Sequence, residues 1–196
     1  MKKIILSVIT LSLVVLGTTN LTYAAQVNAA AGTILTDINT INKIEVHGNV
    51  TLYISDASSD QVKVYNQYYS ESALVQSKNG TLRIASYSPE KLVVWVSAND
   101  LRSVSAYDNS EVKSFGNISK IEFNVDLHDN ASAKLNLDTF SANVTVNDFA
   151  KAELTGSANE FTLNREFAST VNNVNFKAAR FNDNKVNFPT EDMVGI

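Results

Sequence analysis

Between residues 101 and 187 apolar and polar positions alternate in short runs that stop at an acidic residue and then resume. The phrase is written three times: Val104-Ser-Ala-Tyr-Asp108-Asn-Ser-Glu-Val112, Val125-Asp-Leu-His-Asp129-Asn-Ala-Ser-Ala133 and Val144-Thr-Val-Asn-Asp148-Phe-Ala-Lys-Ala152. Four and two residues before each aspartate stand Val104 and Ala106, Val125 and Leu127, Val144 and Val146, all apolar. The places two, four and six after it hold Ser110, Val112 and Ser114, then Ala131, Ala133 and Leu135, then Ala150, Ala152 and Leu154. Period two on both sides predicts a half-buried strand before and after each aspartate. The aspartates are 21 and 19 residues apart. A repeat near that length predicts stacked coils, none of which can bury its apolar side alone.

Each aspartate shares parity with the buried residues, and a straight strand would carry its carboxylate into the core at high cost. The chain is therefore expected to turn there, because Asp and Asn tolerate left-handed backbone and can hydrogen-bond to the main chain. Beyond Asp148 the phrase weakens: Leu163-Asn-Arg-Glu166-Phe-Ala168 is one residue out of step, and Asn182-Asp183-Asn184 lacks a clear strand before it. Upstream, strands are expected over 44–54, 61–66, 73–76, 81–85 and 92–97, with a hairpin at Lys78-Asn-Gly80-Thr. The first half should cap and begin the same stack, and Phe176, Phe181 and Phe188 should plug its far end. No stretch has helical period, and both prolines lie outside strands.

These alternating strands and small polar corners follow a segment Ile44-Glu-Val-His-Gly48-Asn-Val50-Thr-Leu-Tyr-Ile54, and from about Ile41 to Asn187 the chain resembles the auto-transporter adhesin, head GIN domain family (DUF2807), found mainly in Bacteroidetes. The resemblance implies an exported, right-handed parallel β-helix and carries over no catalytic residue. Family members commonly place Gly at the corner, where this chain has Asp108, Asp129 and Asp148. The fold expected is thus all-β: a right-handed parallel β-helix-like solenoid of short coils, period about 17–21, with N-terminal strands capping it.

Met1-Lys2-Lys3, the apolar run from Ile4 to Leu16 and Leu21-Thr22-Tyr23-Ala24 read as a secretory signal peptide over 1–24. Residues 25–40 read as a flexible leader and 41–196 as one domain. The apolar run is too short for a comfortable membrane span, and no later run replaces it. Loss of Lys2 and Lys3 from 16 basic residues leaves 14 against 20 acidic, a net charge near −6. That argues against a nucleic-acid partner. Without cysteine there is neither disulfide nor thiolate metal site. The expected location is periplasmic or extracellular.

Candidate chemistry is sparse. The two histidines, His47 and His128, fall at outward parity, and a His128-Asp126-Asp129 grouping would still lack further ligands. Coils about 4.8 Å apart would align Asp108, Asp129 and Asp148 in a column. Two readings of it stand: a bound cation of the Ca²⁺ type, coordinated by carboxylate and carbonyl oxygens, or Asp-to-backbone turn bonding with Lys113, Lys134 and Lys151 offsetting the charge. The lack of a Gly-Gly-x-Gly-x-Asp repeat favours the second. Tyr68 and Tyr69, in the loop-like Gln67-Tyr-Tyr-Ser70, are the best candidates for rings facing a partner, while Trp95 in an apolar run reads as core. The residues point to no catalytic group, no cofactor and no metal. The leading expectation is a non-enzymatic, adhesin-like binding module for a protein or glycan surface at the cell envelope. The alternatives are a carbohydrate-active β-helix enzyme and a scaffold engaging partners by strand addition.

Overall fold

The computed structural model describes residues 32–35, 38, 40–65 and 73–186. Within them thirteen strands form one curled sheet. The first seven are β1 (Thr33–Leu35), β2 (Lys43–Gly48), β3 (Val50–Asp56), β4 (Gln61–Val64), β5 (Ala73–Lys78), β6 (Thr81–Ser86) and β7 (Leu92–Ala98). Then come β8 (Ser103–Ala106), β9 (Glu111–Ser114), β10 (Ile118–Leu127), β11 (Ser132–Val146), β12 (Lys151–Glu166) and β13 (Thr170–Val186). The stretch read as a signal peptide, 1–24, lies outside the described residues, as do Phe188, Tyr68 and Tyr69.

The repeat governs the pairing. Ahead of the corner, Val46 pairs in parallel with Ala106, Ala106 with Leu127, and Leu127 with Val146. Beyond it, Leu52 pairs with Val112, Val112 with Ala133, Ala133 with Ala152, and Ala152 with Val171. Two walls of parallel strands result, and every apolar position named by the periodicity before an aspartate is buried. So are Val112, Ala131, Ala133, Leu135, Ala150, Ala152 and Leu154 after it. At the edge away from the corners the walls are continuous, because β11, β12 and β13 each run from one wall into the other. Each is paired through one part of its length in either wall.

Several expectations need correction. The stretch read as one strand over 44–54 breaks at Gly48, whose φ of +81° makes it the first corner. A Cβ at Gly48 would lie 2.1 Å from the Ser86 carbonyl oxygen, so no other residue fits. The rungs also fail to stack in chain order: β6 pairs with β2, and β7 with β3, on the side away from β8 and β9. The later rung is thus the outer one. Its edges are covered by antiparallel strands, β5 on β6 and β4 on β7, with β1 on β4. Capping of this kind hides backbone groups that would otherwise pair with other chains. β1 lies within residues 25–40, the stretch read as a flexible leader.

The β5–β6 hairpin turns at Asn79 and Gly80, with φ of +51° and +78°, the left-handed pair that a two-residue loop requires. At the opposite end, among the described residues, β13 pairs with β12 alone. There Phe161 packs its ring 4.8 Å from Phe176 and 4.9 Å from Phe181. Asp183 is not a corner residue. It pairs with Leu163 inside β13 and accepts two hydrogen bonds from Arg165, at 2.9 and 2.6 Å. Those bonds hold the Asp183 carboxyl below its ordinary range.

Candidate functional site

The corner explains why Asp recurs. Asp108, Asp129 and Asp148 have φ of 60°, 57° and 53°, backbone that Asp and Asn adopt more readily than other side-chain-bearing residues. Their carboxylates do not serve their own turns. The Gly48 N–H donates to Asp108 Oδ2, the Asp108 N–H to Asp129 Oδ2, and the Asp129 N–H to Asp148 Oδ2, each at 2.9 Å. Each aspartate therefore secures the corner of the preceding rung of the repeat, and a run of like charges becomes a ladder of charge-assisted hydrogen bonds. Glu166 completes it. Set one residue earlier in its turn but one methylene longer, it accepts from the Asp148 N–H at 2.9 Å. The out-of-step acid in the sequence was the signal for this role.

Two of the three lysines expected to offset the column, Lys113 and Lys134, are paired elsewhere. Lys113 pairs with Glu111 at 2.7 Å and Lys134 with Glu153 at 2.9 Å, on the outer side of the post-corner wall. The Lys113 hydrogen bond holds the Glu111 carboxyl below its usual range. Among the described residues no three His, Asp or Glu side chains converge on a point that could hold a metal ion.

One residue before each corner, rings stack in register. His47 lies 4.5 Å from Tyr107 with planes 3° apart, and Tyr107 lies 4.8 Å from His128 at 8°. Asn147 continues the row, its Nδ2 3.3 Å from His128 Nδ1. His128 Nε2 is 3.0 Å from Asp126 Oδ1, as shared parity predicts, whereas Asp129 turns away to its backbone partner. Tyr87, exposed beside this row, donates to Asp108 Oδ2 at 3.3 Å. Desolvation and then the Asp108 charge push its phenol pKa up.

Trp95 is outside, not in the core. Leu92, Val94 and Val96 are buried while Val93, Trp95 and Ser97 face outward, so the apolar run is still a period-two strand. Trp95 stacks on Tyr53 at 5.2 Å and meets the edge of Phe115 at 4.8 Å. Lys113 stands 5.8 Å from the Tyr53 ring centre. Stacking in both ladders consumes ring faces, and Phe115, 62% exposed, is the aromatic left most open in this cluster.

The edge away from the corners carries a groove of about 740 Å³ lined by Asp56, Asn99, Asp100, Arg102, Lys120 and Glu122 among others. Four of its charges engage one another in pairs. Lys120 Nζ lies 2.7 Å from Asp56 Oδ1 and donates to the Asn99 carbonyl at 2.8 Å, and Arg102 binds Asp100 through both Nε and Nη2. Arg102 thereby holds the Asp100 carboxyl below its ordinary value. In the sequence these residues are scattered over the end of β3, the β7–β8 connection and the start of β10, with no repeat relating them, and nothing there marked them as a group.

Fold and surface together define an all-β protein of mostly parallel-paired strands whose exterior is organised into ladders of side chains. The chain belongs to the DUF2807 family, described as "Putative auto-transporter adhesin, head GIN domain", whose model matches residues 40–185. Among solved structures it resembles a putative adhesin from Bacteroides fragilis at 13% identity, with a TM-score of 0.70 over 79% of this chain and 77% of that one. It also resembles a putative adhesin from Parabacteroides merdae (14% identity, TM-score 0.56, covering 76% and 75%). A third is a putative lipid binding protein from Parabacteroides distasonis (10%, 0.56, covering 76% of each chain). No curated protein matches the sequence. No helix among the described residues is long and apolar enough to cross a membrane.

Proposed function

We propose that the chain is an exported, non-enzymatic, adhesin-like binding module of the cell envelope. In this reading residues 1–24 direct export and 41–196 form one right-handed parallel β-helix-like solenoid, a reading supported by the parallel register of β8 to β13. The family's name and the names of its structural neighbours point the same way. One observation carries the proposal: outward side chains are tied from rung to rung, by carboxylate to amide along the corner and by ring to ring beside it. A broad polar exterior is thereby held in one geometry before any partner arrives, which reduces the ordering cost of binding. Tyr68 and Tyr69 remain part of the proposed partner surface. The test is capture of partners from envelope fractions by purified protein, with a glycan array alongside. Recovery of a specific surface component is the expected result, and turnover of any polysaccharide would overturn the non-enzymatic reading.

A second reading is favoured by β13. Its 17 residues are largely exposed and, among the described residues, its outer edge has no strand beside it. An edge of that length suits strand addition by a partner. Protection of β13 amides from hydrogen exchange only when a captured partner is present would favour this mode over binding on a wall.

A further inference from the structure

The two walls present different chemistry to solvent. On the post-corner wall the outward positions include the ion pairs Glu111–Lys113 and Lys134–Glu153. On the pre-corner wall the last rungs carry amides and hydroxyls. Parallel register aligns Asn124 with Asn143, Asn143 with Thr162, and Thr162 with Asn182 in one row. Two residues along, Thr145 aligns with Asn164 and Asn164 with Asn184 in a second row. The charges at the border are engaged: Glu122 accepts from Asn124 at 3.2 Å, Asp126 lies against His128, and on the last two rungs the exposed Arg180 donates to Glu160.

We propose that this strip binds an extended, neutral polysaccharide lying along the stack axis. The inference rests on the binding-module reading above and names its ligand class. Three features support it. First, the amides are fixed by one another: Asn143 Nδ2 donates to Asn124 Oδ1 at 3.0 Å, and Asn184 Nδ2 to Asn164 Oδ1 at 2.9 Å. An amide group has two donors and an acceptor with two lone pairs, so each ladder bond leaves further capacity directed outward on positions that are half-buried or exposed. Second, the rows repeat at the strand spacing of about 4.8 Å and stand about 7 Å apart. One pyranose unit of an extended chain is close to that rung spacing, so alternate sugars, which present the same edge in a β-1,4-linked chain, can meet alternate rungs in the same way. Third, sugar hydroxyls both donate and accept, and uncharged amides complement them without leaving an ion to desolvate. An anionic glycan would call for free cations in the two rows, which hold amides and hydroxyls, and the Arg180 guanidinium at their border is already paired with Glu160.

The test uses the purified full chain on insoluble chitin and cellulose, with alginate beads as the anionic comparison. Retention is expected on at least one neutral polymer, and soluble oligomers should compete with a strength that rises up to about four units, one per rung, at the strand spacing. Thr145→Lys and Asn164→Lys put cations on the strip at positions outside the core. Each should weaken retention by about ten-fold or more, the scale of one or two lost hydrogen bonds, with melting unchanged. Gln at the same positions should retain binding. Retention on alginate alone, retention indifferent to both Lys variants, or none on either neutral polymer would overturn the inference. If the chain still captures a protein from envelope fractions while ignoring neutral glycans, this inference falls and the binding-module reading stands.

Discussion

The two edges of the stack solve the same problem differently. Along the corner edge the chain turns on successive rungs with one device, a left-handed residue whose N–H is received by an acid from the next rung of the repeat. Along the opposite edge each rung is joined in its own way. Asp60 accepts from the Ile41 and Asn99 N–H groups, Asp56 accepts from the Ser119 N–H, and farther on β11, β12 and β13 simply continue from wall to wall. The lesson is that rung register is set where a device repeats, while the other edge is free to vary. That freedom is where the groove at Asp56, Arg102 and Lys120 arises.

The largest effect is expected where the corner edge tolerates no side chain. Gly48→Val combines positive φ with a Cβ placed 2.1 Å from a backbone oxygen, and should cost about 3 kcal/mol or more. Gly116, near the other edge, has φ +79° but nothing within 4 Å of an added Cβ. Gly116→Ala should cost only about 1 kcal/mol, the backbone penalty alone. Urea unfolding of the two variants measures the difference, and equal losses would contradict the contrast between the edges.

Next comes the ladder itself. Asp129→Ala removes the acceptor for the Asp108 N–H and puts a poorly tolerant residue at φ 57°, for an expected loss of about 2 kcal/mol. Asp129→Asn keeps both an acceptor oxygen and the tolerance for left-handed backbone, and should lose less than half as much. If the two variants unfold at the same urea concentration, the carboxylate-to-amide bond is not what holds the corner. Across the stack, the Thr139 hydroxyl is buried near the point where β11 passes between walls, and its Oγ1 has no hydrogen-bond partner. Thr139→Val should therefore stabilise by about 1 kcal/mol, since an apolar group of the same shape has nothing to leave unsatisfied. A loss instead would point to a water bonded to that oxygen.

How much of this was legible follows from the same contrast. Wherever the phrase recurs, parity identified both buried faces, and the mismatch of Asp108, Asp129 and Asp148 with that parity identified the turns. The destination of the carboxylates was not legible, because a bond to the neighbouring rung depends on stacking geometry rather than on local sequence. Trp95 was misread as core because Val93 and Trp95 alternate with apolar neighbours, and an apolar outward position erases the polar half of the pattern. The order of the rungs was hidden too. Nothing in β6 and β7 distinguishes an outer rung from an inner one until β4 and β5 are seen lying antiparallel beside them. The Asn and Thr rows on the pre-corner wall were not legible, because their alignment requires register.

The smallest expected effect belongs to the non-repeating edge and can be read from pH. The hydrogen bond from Arg102 is the largest influence on Asp100 and lowers its pKa from the ordinary 3.8, with partial burial opposing and the Arg102 charge assisting. A carboxyl whose folded pKa is depressed contributes stability that is fully present above the unfolded value and disappears as pH falls through the folded one. The contribution should thus be intact at neutral pH and fade below about pH 4, where carboxylates begin to protonate. Arg102→Ala should melt slightly lower than the parent at pH 7 and converge with it in acid. Because the pair sits in solvent the gap will be small and should shrink with salt. A gap that persists at pH 2 would assign the role of Arg102 to packing of its stem along the groove rather than to its charge.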